Sequence, residues 1–369
     1  MDPILAIDIG GTKLAVGIVV GEELVRSRRT PTRGADGEAL FATLTTLAAG
    51  VVDEHVADGG RPPAVVGVGC GGPMEPDGLT VSPLNIPQWR AFPLRDRLAE
   101  RFGLPVRVDN DAKALALAEG WLGAAQGCDD YVAMVVSTGV GGGFVVDGRL
   151  LDGASSNAGH IGHVVVVPEG RPCPCGSRGC LEAEASGTSI AAITGRAAAD
   201  ATPEVIARTG RLVGRAIAWF VVALDLRLAC VAGSVALGFG EPFFAAANDE
   251  LEAVARIGYA QGARIVPAGL GAEGPLLGAA AVARRGAAER ADRDARARCA
   301  ARPRPRLGPR RGSGRAGPPV AVGDGRRAGG PPGPARLVAA PAVAPVARPR
   351  VPPVPPPDRL RRSHPRART

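Results

Sequence analysis

Three cysteines and a histidine within one short stretch are the side chains of this sequence with the clearest chemistry. His163 is followed by nine spacer residues and then by Cys173, Cys175 and Cys180. Zinc prefers four sulfur and nitrogen ligands in a tetrahedron, so these four residues are candidate ligands of a structural zinc ion. Two glycines between the last two cysteines allow the chain to fold back on itself. A disulfide with one spare thiol is the alternative, which a reducing compartment disfavours.

A closed zinc site holds a loop in place and leaves the reaction to its neighbours. The polar residues that such an ion would position are His160, His163 and Glu182. These three side chains are therefore candidates for binding a substrate.

A glycine turn near the start of the chain is a candidate phosphate site. The β-branched run Ile4–Ile7 ends at Asp8, and Gly10-Gly11-Thr12-Lys13 leads into the apolar run Leu14–Val20. This pattern predicts a hairpin whose backbone N–H groups approach a phosphate, with Thr12 and Lys13 as further donors. Asp8 could hold Mg²⁺ through water. The Walker pattern does not apply, because it requires a helix after the loop; a turn without a ligand is the alternative.

Two further glycine turns follow predicted strands. Tyr131–Val136 leads into Ser137–Gly143 and then into apolar residues, which repeats the design of the first hairpin. A pair of such hairpins suggests two halves of a clamp on a polyphosphate. The third turn, Ala232–Val235, follows a strand predicted at 228–231.

A cluster of polar residues stands where a strand predicted at 106–108 meets a helix predicted at 112–122. The cluster reads Asp109-Asn110-Asp111. Open α/β folds place catalytic groups at the ends of strands that precede helices, but an aspartate there can also cap the helix. We interpret Asp109 as a cap and Asp111 as the catalytic candidate.

Periodicity and composition predict the remaining elements of an α/β protein. We expect further strands at 65–70 and 264–266, a loop at 79–90, and helices at 38–57, 93–102, 203–224, 241–256 and 275–285.

The net charge of +8 is carried by the end of the chain. Residues 286–369 hold 20 arginines and five acidic residues, which is +15, so residues 1–285 carry −7. The mildly acidic part gives no electrostatic reason to expect nucleic-acid binding. No apolar run reaches the roughly 18 residues that a membrane helix needs, and we recognise no leader sequence. With Cys70, Cys128, Cys230 and Cys299 as scattered thiols, we expect a cytoplasmic protein.

The composition changes sharply at residue 286. Half of the prolines, 17 of 34, lie in 286–369, and no aromatic residue follows Tyr259. Such a segment cannot bury enough apolar surface to offset its ordering entropy, so we predict disorder. The segment is either a basic tail that binds acidic surfaces or an out-of-frame translation of a GC-rich gene, since Arg, Pro, Ala and Gly all have GC-only codon families.

Several of these motifs together resemble the ROK family of bacterial sugar kinases, sugar-responsive repressors and uncharacterised open reading frames. They are Asp8-Ile-Gly-Gly-Thr-Lys13, the Ser137–Gly143 turn, and the Cys-x-Cys-Gly-x-x-Gly-Cys-x-Glu motif after a Gly-His. The resemblance covers residues 1–285. Repressors of the family carry a winged helix-turn-helix before this unit, whereas Asp8 follows the first residue closely here. The kinase branch is therefore favoured.

The resemblance implies an α/β fold of the actin-like ATPase (ribonuclease H-like) class, with two α/β domains on either side of a cleft. We expect one domain at 1–115, to which 271–285 would return, a larger domain with the zinc loop at 116–270, and the disordered tail at 286–369. Small-molecule partners would be ATP with Mg²⁺ and a sugar. Dimers are common in the family, so a homodimer is an open alternative.

The resemblance also implies roles for individual residues. Asp111 would be the general base that takes the proton from the attacking sugar hydroxyl. The residues that would hold the sugar are Gly72, Asn85, Asn110, His160, His163 and Glu182. Those that would hold ATP are Asp8, Gly10, Gly11, Thr12, Lys13, Thr138, Gly139, Gly141, Gly142, Gly233 and Ser234.

Two residues depart from the pattern of the family. Its kinases usually have a glutamate where His160 stands, and this carboxylate accepts hydrogen bonds from two sugar hydroxyls. A neutral imidazole has one donor and one acceptor, so the sugar could differ or phosphorylation could be lost. Lys113 stands where the family often has asparagine. The two resulting hypotheses are an ATP-dependent hexose kinase, glucokinase-like and acting at O6, and a non-catalytic sugar sensor.

Overall fold

The computed structural model describes residues 2–285. The predicted disorder of 286–369, and the question of its reading frame, lie outside the described residues. Within 2–285 no helix is both long and apolar enough to cross a membrane. The strands are β1 (Ile4–Ile9), β2 (Lys13–Val20), β3 (Glu23–Pro31), β4 (Val65–Cys70), β5 (Val106–Asn110), β6 (Tyr131–Val136), β7 (Val140–Val146), β8 (Arg149–Leu150), β9 (Leu228–Ala232) and β10 (Arg264–Pro267).

Helices alternate with the strands after each hairpin. The helices are α1 (Gly37–Ala57), α2 (Leu94–Phe102), α3 (Asp111–Leu122), α4 (Leu181–Ala185), α5 (Gly187–Thr194), α6 (Pro203–Leu224), α7 (Ser234–Phe239), α8 (Glu241–Val254) and α9 (274–285). Short 3₁₀ turns lie at Pro76–Gly78, Ile161–His163, Ala198–Asp200, Gly258–Ala260 and Gly271–Glu273.

The two five-stranded sheets share one topology. The first has the order β3-β2-β1-β4-β5 and the second the order β10-β9-β6-β7-β8. In each sheet a central strand pairs with an antiparallel strand on one side and a parallel strand on the other. Both hairpins predicted around glycine turns are therefore confirmed, and they occupy equivalent places in the two sheets.

The core follows from the apolar character of the central strands. All six residues of β1 are buried, because both faces of the first sheet are covered, as near-continuous apolar strands indicate. Helices α1 and α2 cover one face. Helix α9 covers the other so closely that a Cβ atom at Gly67 would lie 2.0 Å from the Ala279 carbonyl oxygen.

Helix α3 packs against both sheets. Glycines of β7 make this approach close: a Cβ atom at Gly141 would lie 3.2 Å from the Cβ atom of Ala112, and one at Gly143 would lie 2.9 Å from that of Ala116. The helix that begins at Asp111 is thus the element shared by the two halves.

Candidate active site

The first glycine turn places a buried carboxylate beside a catalytic candidate. The turn is closed by the N–H of Gly10, which donates to the Lys13 carbonyl oxygen at 3.1 Å. Burial first, and then the neighbouring Asp111, raise the pKa of Asp8 to about 7, while Lys13 and Arg29 act in the opposite direction. Two carboxylates that are only partly compensated by cations form a donor set that suits a divalent ion such as Mg²⁺.

Asp111 is the first residue of α3 and reaches solvent. The side chain of Asn110 caps the helix by accepting from the N–H groups of Ala112 and Lys113, at 3.0 and 3.3 Å. Although Asp111 is accessible, protein atoms crowd its carboxyl, and this desolvation raises its pKa. An ordinary side chain at Gly69 would fill the space beside it, since a Cβ atom there would lie 3.6 Å from the Asp111 Cα atom and 3.8 Å from Asp8 Oδ1.

The interpretation of Asp109 as the helix cap is wrong. Asn110 is the cap, because Asp109 still belongs to β5 and its carboxylate faces Lys113 at 2.8 Å. Only the short side chain that stands one residue before the helix can reach the first free N–H groups.

Three residues predicted to hold a sugar meet next to Asp111. A Cβ atom at Gly72 would lie 3.4 Å from Asn110 Nδ2 and 3.4 Å from His160 Nε2. Burial first, and then His163, lower the pKa of His160, whereas Asp111 and Glu182 act to raise it. The imidazole is therefore neutral near pH 7.

Glu182 and Asn85 connect this cluster to the two glycine turns. Glu182 lies in the first turn of α4, and its Oε2 atom accepts from the N–H of Val140 at 2.9 Å. A Cβ atom at Gly139 would approach the same oxygen to 2.8 Å. Asn85 lies against the first turn, where a Cβ atom at Gly11 would come within 2.5 Å of the Asn85 Cβ atom.

The second and third glycine turns meet at their hydroxyl groups. Ser137 Oγ and Ser234 Oγ are 2.9 Å apart. Gly233 has φ +102°, and a Cβ atom on it would lie 2.3 Å from the Val136 carbonyl oxygen. The backbone carbonyl of Thr138 accepts from Thr188 Oγ1 at 2.9 Å. This places Thr138, Gly233 and Ser234 in one region, and the binding of a nucleotide by these residues stays a prediction.

Gly141 and Gly142 have packing roles in β7. The N–H of Gly142 donates to the Gly159 carbonyl oxygen at 3.0 Å. A Cβ atom on Gly142 would approach Ile161 Cδ1 to 2.4 Å. These contacts hold the loop of His160 on the sheet, and the binding of ATP by these two glycines stays a prediction.

His163, Cys173, Cys175 and Cys180 form one cluster, in which the ligand atoms all lie within 4.8 Å of one another. The Sγ atom of Cys173 is 3.6 Å from His163 Nδ1, and the Sγ atoms of Cys175 and Cys180 are 3.7 Å apart. A zinc tetrahedron with bonds of about 2.3 Å to sulfur and about 2.05 Å to nitrogen has edges of about 3.6 Å (S–N) and about 3.8 Å (S–S). The cluster fits zinc, whereas a disulfide requires about 2.05 Å and all three cysteines are free.

Sequence reasoning missed a group of ion pairs beside Asp111. Lys113, noticed only as a departure from the family, is buried and pairs with Asp109 and Asp152. Arg285 pairs with the same two carboxylates. The i, i+4 spacing of Asp109 and Lys113 could have indicated the first pair, but no local pattern joins Lys113 to a residue 39 positions away.

Comparisons with known proteins identify the family of the chain. The profile of the ROK family matches residues 4–286. A glucokinase of Halalkalibacterium halodurans is 42% identical over 195 residues, which cover 51% of this chain and 58% of that protein. The chain therefore spans little more than half the length of that relative. An N-acetylmannosamine kinase of Citrobacter koseri is 38% identical over 253 residues, 64% of this chain and 84% of that protein.

A solved structure extends the likeness to the fold. A ROK family glucokinase from Streptomyces griseus, in complex with glucose and AMPPNP, has a TM-score of 0.66 and 29% identity. The alignment covers 77% of this chain and 99% of that one. Together with the two sheets of equal topology, this likeness confirms the predicted actin-like ATPase fold.

Proposed function

This chain belongs to the ROK family, and from that premise we propose that it is an ATP-dependent sugar kinase with Asp111 as its general base. The observation that carries the proposal is the convergence around Asp111 of residues from separate parts of the chain. Gly72 and His160 lie beside Asn110, the residue before Asp111, and Asp8 of the first glycine turn lies close to Asp111.

In the proposed reaction a sugar hydroxyl lies between Asp111 and the γ-phosphate of ATP. Asp111 takes the hydroxyl proton, the oxygen attacks the γ-phosphorus, and ADP leaves. The raised pKa of Asp111 makes it a better base than an ordinary carboxylate.

The other groups bind and orient the two substrates. Lys13 and the N–H groups of the first and second glycine turns would contact phosphates. Gly233 and Ser234 of the third turn, which meets the second at Ser137, would hold the nucleoside. Asp8 would hold Mg²⁺ through water, and the ion would supply positive charge at the phosphates. Since phosphoryl transfer depends chiefly on positioning and charge neutralisation, these contacts would provide much of the catalysis.

Zinc has a structural role in this proposal. The four ligands use every position of a tetrahedron, which leaves none for a substrate. Their neighbours in the chain are His160 and Glu182, so the ion would fix the side of the sugar site that these residues form.

His160 bears on which hexose is phosphorylated. A carboxylate only accepts hydrogen bonds, whereas a neutral imidazole can also donate one. The carbonyl oxygen of a 2-acetamido group requires a donor, and the relatives that match over most of their length include N-acetylmannosamine kinases beside a glucokinase. We therefore propose a hexose substrate phosphorylated at O6, either glucose or a 2-acetamido hexose, with N-acetylmannosamine as the first to test.

The test is an ADP-release assay of the full chain with Mg-ATP and, in turn, glucose, mannose, N-acetylglucosamine, N-acetylmannosamine and fructose. Turnover of one sugar is expected, with a loss of at least about 1000-fold in Asp111→Asn, since the amide cannot accept a proton. His160→Glu should shift the preference towards glucose. A folded protein that releases no ADP with any of these sugars would refute the kinase proposal.

A sugar sensor without catalysis is the second candidate, and the replacement of the family glutamate by His160 is the observation that favours it. It predicts that a sugar changes the binding of a partner or of DNA while no ADP is released. Calorimetric binding of a sugar by a protein inactive in the assay would support this alternative.

A further inference from the structure

Four charged side chains form a closed network beside the proposed base. Lys113 is 1% exposed, and its Nζ atom lies 2.8 Å from Asp109 Oδ1 and 2.8 Å from Asp152 Oδ1. Arg285 contacts the second oxygen of each carboxylate, at 3.3 Å from Asp109 Oδ2 and 2.5 Å from Asp152 Oδ2. Two cations and two carboxylates therefore alternate, and each cation bridges both acids.

The network joins elements that carry the two sides of the sugar site. Asp109 ends β5, and Lys113 lies in the first turn of α3, two residues after Asp111. Asp152 belongs to the segment 151–160, which ends at His160. Arg285 is in α9, which packs on the first sheet.

The segment 151–160 is held at two further points. Lys113 Nζ also donates to the Ser156 carbonyl oxygen at 3.4 Å. The side chain of Asn157 exchanges two hydrogen bonds with the backbone of Met74, at 3.0 and 3.2 Å. Met74 lies two residues after Gly72, so this segment is fixed both to the helix of the base and to the loop that faces the sugar.

We propose that Lys113 is a positioning residue, which through Asp152 fixes His160 relative to Asp111 and so sets the geometry of the sugar site. The inference rests on the proposed kinase function for its catalytic readout. Lys113 does not itself line the site, because its side chain is buried between the two carboxylates.

Electrostatics indicates why a cation is needed at this position. Burial raises the pKa of Asp109, although Lys113 and Arg285 act to lower it. For Asp152 burial also acts to raise the pKa, but hydrogen bonds from Arg285 and Lys113 outweigh it and lower the pKa. Without the Lys113 ammonium, the two carboxylates would lose a cation that bridges them, and the segment of Asp152 would move away from α3 because like charges repel.

A cavity next to the network makes a chemical rescue experiment possible. It has a volume of about 210 Å³ and is lined by the network and by Arg95, Arg107 and Ser156, among others. None of its lining residues is among those predicted to bind sugar or ATP. Truncation of Lys113 would extend this space towards both carboxylates, so a small alkylammonium ion could enter and replace the missing charge.

The experiment measures kcat and KM for sugar and for ATP, together with calorimetric sugar affinity, on the full chain. Lys113→Ala should lower kcat/KM for the sugar about 100-fold, the cost of a misplacement of about 1 Å, while KM for ATP changes less than about 2-fold. Ethylammonium should raise kcat/KM of the variant at least about 10-fold. Tetramethylammonium, which donates no hydrogen bond, should leave kcat/KM of the variant unchanged. Asp152→Asn, at a side chain that is 43% exposed, should give the same selective loss if Lys113→Ala does not fold.

Arg26→Met is the matched control, because this change also removes an ion pair, to Glu54 at 3.1 Å, which joins β3 to α1 at the end of the first sheet away from the glycine turn. It should leave both KM values unchanged. Equal losses for sugar and ATP in Lys113→Ala, or no rescue by ethylammonium, would overturn the positioning role. If the wild type releases no ADP, the kinase proposal fails. The role of Lys113 is then decided by calorimetry, which shows whether Lys113→Ala lowers the sugar affinity and whether ethylammonium restores it.

Discussion

The clearest single test of the metal assignment is Cys175→Ser. Cys175 is exposed, whereas Cys173 and Cys180 are buried. Replacement of an exposed sulfur by oxygen removes almost no packing, so without a metal the change should be nearly silent. A hydrogen bond from the backbone of Ser177 lowers the pKa of the Cys175 thiol and favours the thiolate that a metal requires.

With zinc the expected effect is large. Structural zinc sites contribute on the order of 10 kcal/mol of folding free energy. If one ligand in four carries a quarter of that energy, its loss costs about 2.5 kcal/mol. This corresponds to a fall of about 4 °C in the melting temperature of a protein of this size. The segment from His163 to Cys180 should loosen, and sugar affinity should fall because Glu182 follows directly in α4.

The assay combines zinc content by mass spectrometry of the metal with thermal unfolding and calorimetric sugar binding. The wild type should contain one zinc per chain, and Cys175→Ser should contain less than about half. Cys128→Ser is the matched control, because Cys128 lies outside the cluster and its thiol makes a long hydrogen bond, to the Asp130 carbonyl oxygen at 3.5 Å. A wild type without zinc, or a variant that keeps its zinc and its melting temperature, would refute the reasoning.

Two further predictions concern buried carboxylates. Because burial first and then Asp111 raise the pKa of Asp8 to about 7, the native state keeps a proton there that the unfolded chain loses above about pH 4, and stability falls as the pH rises through this window. Without nucleotide, the melting temperature of Asp8→Asn should therefore rise relative to that of the wild type as the pH increases from about 4.5 to 7.5. A difference between the two melting temperatures that stays constant over this range would contradict the prediction. Glu119→Ala should cost roughly 3–5 kcal/mol in urea unfolding, because Glu119 is buried and accepts from the N–H groups of Ala124, Gly269 and Leu270 at 2.7, 2.9 and 3.3 Å. Glu119→Gln, which keeps one acceptor oxygen, should cost about half as much, and equal costs would argue against these bonds.

Local patterns were sufficient for the hairpins and for most helices. The apolar runs of β1 and β6 end in glycine turns, and both the strands and their antiparallel partners were predictable. The metal cluster could also be predicted from the sequence, because its three cysteines lie within a stretch of eight residues. Strand β3 was not predicted, since its sequence ELVRSRRTP is polar and exposed, as suits an edge strand.

The parts that sequence could not supply are contacts between distant residues. The role of Asp109 was misjudged because the i, i+4 spacing to Lys113 was not weighed, and because Arg285 becomes its partner only once β5 and α9 are placed. The role of the glycines in β7 also depends on contacts with a distant part of the chain. Their spacing suggests a phosphate loop, but the reason for Gly143 is the approach of Ala116 in α3.

The place of α3 has a consequence for how the two proposed substrates would be bound. Gly72 and Asn110 adjoin strands of the first sheet, whereas His160 and Glu182 belong to segments held on the second. A sugar bound by both pairs would bridge the two halves, and Asp111 at the start of α3 lies where they meet. The glycine turns are divided in the same way, so a change in the angle between the halves would alter the sugar and nucleotide contacts together. The network at Lys113 also crosses this junction, from β5 to the segment after β8. That segment ends at His160 and contains none of the residues predicted to hold ATP, so removal of Lys113 should affect the sugar before it affects ATP.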